Sequence, residues 1–294
     1  MKKLCIVTGI ALLLWQCGRF GNEDKKQDHK ERIVCISKQY TEIIWALGAQ
    51  EDIVAVDISS VYPADVKKLP TVGYHRALSL EGILAAKPTL ILRGGPKNMG
   101  PEQVSKQLEQ LKIPMKDFES KSGDIDGAKN LIREMGKFFH KEGRADTLCT
   151  KLDEDMKVAL ENAKQYTDTP KVLVIHFGRA SNIYMIMSQK GPGGKMIEWA
   201  GGKSCIKDTS GMKQMSAEVV TKSDPDIILL TEFGYDRLGS PEKISELPGI
   251  ALTKAYKNKK IYRVEEHDLI YLGPRTGENT CKLQKLLHHD GPTQ

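Results

Sequence analysis
The 294-residue chain lacks the short motifs that mark most enzymes and metal sites. None of its six cysteines is in a C-x-x-C pair, and no G-x-S-x-G is present. Gly202-Lys203-Ser204 mimics the end of a phosphate loop, but the glycine required five residues earlier is Ile197. No nucleophile-base constellation is recognisable. The only adjacent histidines are His288 and His289, read as lying in a mobile tail, so a zinc-type carrier built on His75, His176, His267 and carboxylates has no ligand spacing to support it. No basic stripe with interleaved aromatics argues for nucleic acid.

Long apolar runs are also missing, except at the start. Lys2 and Lys3 precede Leu4–Trp15, broken only by Thr8 and Gly9. This run is too short to span a bilayer and has the layout of an export signal. Leu14, three residues before Cys17, resembles a bacterial lipoprotein signal in which Cys17 is lipidated, although Trp15 and Gln16 depart from the small residues usual there. Residues 18–31 are polar and without periodicity, a solvated tether to the membrane surface. Loss of residues 1–17 removes two lysines from a formal charge of +6, leaving a mildly basic chain suited to an anionic small ligand. Four cysteines then remain, Cys35, Cys149, Cys205 and Cys281. They allow three full pairings or none, as separate buried thiols.

The rest alternates strand and helix. Short apolar strands are expected at 32–37, 53–57, 89–92 and 114–118, with helices at 40–47, 80–86 and 103–111. From Ile125 to about 166 the pattern is helical throughout, and the stretch 142–166 would be roughly 37 Å long at the α-helical rise. Strands then return at 171–176, 226–230 and 261–264, with a terminal helix at 277–287. LSLEGILAAKPTLIL (78–92) parallels MSAEVVTKSDPDIILL (215–230): a capping Ser, a Glu two residues on, a short helix, a Pro and a strand. The expected fold is α/β: two similar Rossmann-like lobes with parallel sheets, 32–124 and 170–294, joined through a helical segment, 125–169, by one long helix. Ligands of open α/β sheets sit beyond the strand C-termini, which here means the interlobe cleft.

The most informative segment is VGYHRALSLEGIL, 72–84, with Tyr74, His75 and Arg76 side by side before a helix. Tyrosinate and imidazole bind iron, and arginine pairs with carboxylates. With LPGIALTKAYKNKKIY and LGPRT, this segment resembles the class III substrate-binding proteins of bacterial ABC importers, most closely their haem-binding branch, over residues 32–288. The resemblance implies an exported, non-enzymatic, monomeric protein that carries ferric haem b to the importer's membrane subunits. Tyr74 would be the axial iron ligand, and Arg76 would favour its phenolate. His75 stands where the branch has an apolar residue, and it is open to three roles: bystander, hydrogen-bond partner of a propionate, or second ligand. His176, at a strand end, is either a cleft residue or a core or surface histidine. Arg237 would meet a propionate or be a solvated loop charge, and Arg275 would be structural or cleft-lining. The resemblance assigns Glu81 and Glu218 to docking on the importer. Independently, each suits a helix start because the dipole favours acid there. A corrinoid or ferric-siderophore carrier of the same class is the alternative.

Overall fold
A computed structural model describes residues 31–95, 99–179, 181–208 and 211–288. The leader, Cys17, nearly all of the tether and His289 lie outside them. The first sheet has the order β2-β1-β5-β6 and is wholly parallel, formed by β1 (Ile33–Cys35), β2 (Ile53–Val56), β5 (Leu90–Leu92) and β6 (Met115–Lys116). Helix α1 (Lys38–Leu47) follows β1. The Ser37 hydroxyl accepts from the Tyr40 amide, and the left-handed Gly48 ends the helix. Between β2 and β5 a small hairpin, β3 (Gly73–Tyr74) and β4 (Ala77–Leu78), leads into α2 (Leu80–Ala85). Helix α3 (Glu102–Gln110) precedes β6.

Two helices connect the sheets, α4 (Ile125–Phe138) and α5 (Glu142–Ala163). At 22 residues, α5 is about 33 Å long at 1.5 Å per residue.

The second sheet runs β10-β8-β7-β11-β12, from β7 (Lys171–Gly178), β8 (Ile183–Met187), β10 (Met212–Gln214), β11 (Ile227–Thr231) and β12 (Ile261–Val264), with β9 (Lys203–Ser204) beside β7. Its β7, β9, β11 and β12 pairings are parallel, as the α/β pattern predicts. The β7–β8 and β8–β10 pairings are antiparallel, so this sheet is mixed. The cause is the turn after Gly178, which folds β8 back onto β7. The helices of this half are α6 (Pro192–Trp199), α7 (Ala217–Ser223), α8 (Glu232–Leu238), α9 (Lys254–Lys257), α10 (Glu266–Ile270) and α11 (Thr276–His288).

Strand alternation explains the core. Ile33 and Cys35 of β1, Val172 and Val174 of β7, and Ile227 and Leu229 of β11 belong to one cluster, shared with α1, α4, α5 and α11. Their neighbours face the other way: Val34 packs with Ile83 and Ile91, while Leu173, Ile175, Ile228 and Leu230 pack with Val220 and Ile250. Each sheet is therefore covered on both faces, as parallel strands require. The cluster shared through α4 and α5 holds the halves together.

Cys35, Cys149, Cys205 and Cys281 are free thiols, so none of the three pairings forms. Burial pushes Cys35 and Cys205 up to about 12. His288 is no part of a mobile tail. Its side chain is 1% exposed, stacks on Tyr166 with centroids 3.7 Å apart, and bonds Asp168 and the Ala200 carbonyl.

Candidate functional site
A cavity of about 340 Å³ opens between the two halves, with Lys38, Tyr74, His75 and Arg76 on one wall and His176, Arg179, Phe233 and Glu266 on the other. Its volume is within the range of small-ligand pockets. The second wall is built from residues at or beyond strand C-termini: His176 and Gly178 end β7, and Phe233 and Glu266 follow β11 and β12.

Tyr74 ends β3, and the hairpin turn carries His75 and Arg76. The turn is packed against the next loop: the Gly100 amide donates to the His75 carbonyl at 3.1 Å, and a Cβ on Gly100 would stand 2.8 Å from the Arg76 carbonyl oxygen. The Tyr74 and His75 rings lie 4.2 Å apart between centroids. Burial pushes the Tyr74 phenol upward, and the Glu266 charge adds to this, while Arg76, Lys38 and Arg179 pull down without prevailing. Arg76 thus acts in the expected direction but is outweighed, and the free protein holds Tyr74 as phenol.

His75 is held from behind. Its Nδ1 is 3.3 Å from the buried Asp57, which also accepts from Ser60 Oγ at 2.6 Å, the Ser59 amide at 3.2 Å and Ser59 Oγ. Burial alone would raise Asp57, but these bonds, led by His75, keep it ionised. The carboxylate thus fixes the orientation of the ring at the cavity wall.

The opposite wall repeats the arrangement. His176 Nδ1 is 3.2 Å from Glu266 Oε1, and Lys38 Nζ reaches Glu266 Oε2 at 2.5 Å across the cleft. Burial lowers His176, and Lys38 and Arg76 add to this against the pull of Glu266, so the ring is neutral near pH 7; Thr231 Oγ1 lies 3.5 Å from the same Nδ1. Glu266 is kept low, since its partners Lys38 and His176 outweigh its burial.

Some expected residues are elsewhere. Arg237 is on α8, not in a loop; it is exposed, lies 4.8 Å from the Phe177 ring centroid and does not line the cavity. Arg275 is structural: it pairs with Glu42 at 2.9 Å and Asp268 at 2.8 Å and covers the Tyr62 ring at 3.6 Å. Glu81 and Glu218 are exposed in the first turns of α2 and α7, which Ser79 and Ser216 cap at the Gly82 and Val219 amides. Sequence reasoning missed Arg179, Lys38, Glu266 and Phe233. The strand-end rule that pointed to His176 reaches Arg179 three residues later. Among the described residues, no group of three or more His, Cys, Asp or Glu side chains is arranged to hold a metal ion.

The family model for periplasmic binding proteins matches residues 33–267. An uncharacterised ABC transporter substrate-binding lipoprotein of Bacillus subtilis, YvrC, is 26% identical over 88% of this chain and 81% of its own. A vitamin B12-binding protein of Pectobacterium carotovorum is 25% identical over 74% of each. Among solved structures, the apo periplasmic heme-binding protein RhuT of Roseiflexus superposes with a TM-score of 0.78 at 30% identity, over 88% of this chain and 98% of that one. The match extends through the first sheet, both connecting helices and the second sheet as far as α10, and the chain belongs to the periplasmic binding protein family, the non-enzymatic substrate-binding component of ABC transporters.

Proposed function
We propose that this protein captures ferric haem in the interlobe cavity, with Tyr74 as iron ligand, and delivers it to an ABC importer. The observation that carries the reading is the placement of the Tyr74 phenol in a cavity lined by three cations, Lys38, Arg76 and Arg179, and one acid, Glu266. Phenolate is a hard oxygen donor suited to ferric iron, and the excess of positive charge suits a macrocycle bearing carboxylates. The heme-binding RhuT structure supports the same choice. His75 and His176 both line the cavity and are candidates for contact with the bound macrocycle; Arg237 is a candidate only for its outer edge.

Titration with ferric haem should give a shifted Soret band and a tyrosinate charge-transfer band. Tyr74→Ala should lose that band and most of the affinity. An unchanged spectrum in Tyr74→Ala would remove Tyr74 as ligand, and no response from the wild type would reject haem. The corrinoid reading draws on the vitamin B12-binding relatives; it predicts a response to cobalamin that does not need Tyr74.

The lipid-anchored, exported location rests on the Cys17 pattern and on the lipoprotein relative. Cys17→Ala should shift the protein out of the membrane fraction.

A further inference from the structure
Most described arginines have evident partners; Arg76 and Arg237 have no hydrogen-bonded or ionic one among the described residues, but neither has a buried unpaired nitrogen. Arg93 has Asp117, Arg263 has Asp236 and Glu265, Arg275 has Glu42 and Asp268, and Arg32 donates to the Ala86 and Lys87 carbonyls. Arg179 stands apart. Its Nη1 is buried and has no hydrogen-bond partner among the described residues. A buried guanidinium nitrogen without an acceptor has lost its hydration for nothing in return.

The surroundings of Arg179 show what is missing. Its guanidinium carbon lies 3.9 Å from the Phe233 ring centroid and 5.2 Å from that of Tyr74, so the flat cation is placed among the rings that form the cavity. Stacking satisfies its faces but not its in-plane N–H groups. Among the described residues, the only acid lining the cavity, Glu266, is already engaged by Lys38 and His176. The position is set by backbone. The Ser181 and Asn182 amides both donate to the Gly178 carbonyl, at 3.1 and 2.7 Å, closing the turn that begins with Arg179. Gly178 allows that closure, since a Cβ there would stand 2.5 Å from Ser181 Oγ.

We propose that Arg179 is the specificity-determining residue of the cavity, pairing in the plane of its guanidinium with a carboxylate at the edge of a flat, aromatic ligand. It would thereby favour a macrocycle with acid side chains over one, such as a corrinoid, whose edge is amide. This deepens the haem reading and rests on it. Arginine meets a carboxylate with two parallel N–H groups, which neither an amide nor an ester edge can accept equally well.

The test uses ferric protoporphyrin and its dimethyl ester, which keeps the ring and iron but removes both acids. The wild type, Arg179→Gln and Arg179→Lys would each be titrated with both compounds. The wild type should prefer the diacid by roughly tenfold to a hundredfold, the usual effect of a charged hydrogen-bonded pair. Arg179→Gln should lose most of that preference while keeping the Tyr74 charge-transfer band, which also reports that the cavity is folded. Arg179→Lys should retain part of it. An Arg179→Gln protein that keeps the wild-type preference overturns the assignment. So does one that loses both porphyrins together with the band, because Arg179 would then only hold the wall in place. A wild type that responds to neither compound rejects the haem reading, and this one with it.

Discussion

At the residue scale, the notable point is that Tyr74 is a phenol in the free protein, whereas the proposed iron ligation needs a phenolate. Burial and the Glu266 charge hold its proton on, against Arg76, Lys38 and Arg179. Iron capture by phenolate must therefore release that proton, and haem affinity should fall as pH is lowered. Glu266→Gln removes an anion from beside Tyr74 and frees Lys38 to act as an unpaired cation. The pH dependence of haem binding in this variant should move to lower pH than in the wild type; spectral titrations across pH would show it, and a shift upward would contradict the electrostatic argument. The Tyr-His-Arg run was legible in the sequence because its three side chains bear chemistry and share one turn. The partners that tune them were not. Asp57 lies 18 residues before His75, and Glu266 is brought to Lys38 from 228 residues away, so only the folded chain shows them as pairs.

At the element scale, the short apolar strands and capped helices of both halves could be read directly, because apolar runs and Ser caps are local signals. Others could not, β8, α8 and α10 among them. The IYMIM run of β8 (183–187) is apolar but only half-buried over its first three residues. Helix α8 contains Gly234, which reads as a breaker. In the fold, that glycine lets the helix approach β11 and β8, where a Cβ would meet Leu230 Cδ1 at 3.0 Å and Tyr184 Cε1 at 3.2 Å. Helix α10 has only five residues, too few for a helical period. The helices read most clearly, α2 and α7, carry the docking candidates. Glu81 and Glu218 are exposed and neither lines the cavity, so Glu81→Ala with Glu218→Ala should leave the haem spectrum and affinity unchanged. Transport by the reconstituted importer should fall sharply. Normal transport by the double variant would reduce both residues to helix-dipole partners.

At the scale of the whole molecule, the two halves are joined behind the cavity as well as through α5. Glu42 on α1 is buried and pairs with His267 and with Arg275, and Gln39 donates to the Leu272 carbonyl at 2.7 Å. The burial of Glu42 would raise its pKa, but His267 and Arg275 outweigh that and hold it below the usual carboxylate range. A depressed carboxylate stabilises the fold fully above its unfolded value, and the contribution fades as pH falls through the folded one. His176, also depressed, makes the protein less stable as pH drops below about 6.5, because the unfolded ring then takes up a proton that the folded one resists. Glu42→Ala leaves the Arg275 guanidinium with Asp268 as its one acid and takes the carboxylate from His267, and should cost about 3 kcal/mol or more in denaturant unfolding at pH 7. A loss under about 1 kcal/mol would place the junction's strength in the shared apolar core instead.

The contact between Lys38 and Glu266 belongs both to this junction and to the wall of the cavity. Occupancy and closure are then two readings of one equilibrium. If an anionic cargo draws Lys38 toward itself, it loosens the bridge. Reciprocity then requires a protein with a looser bridge to hold that cargo more tightly, by the same factor. A transporter subunit that presses the halves together would need no contact with the cargo to lower its affinity.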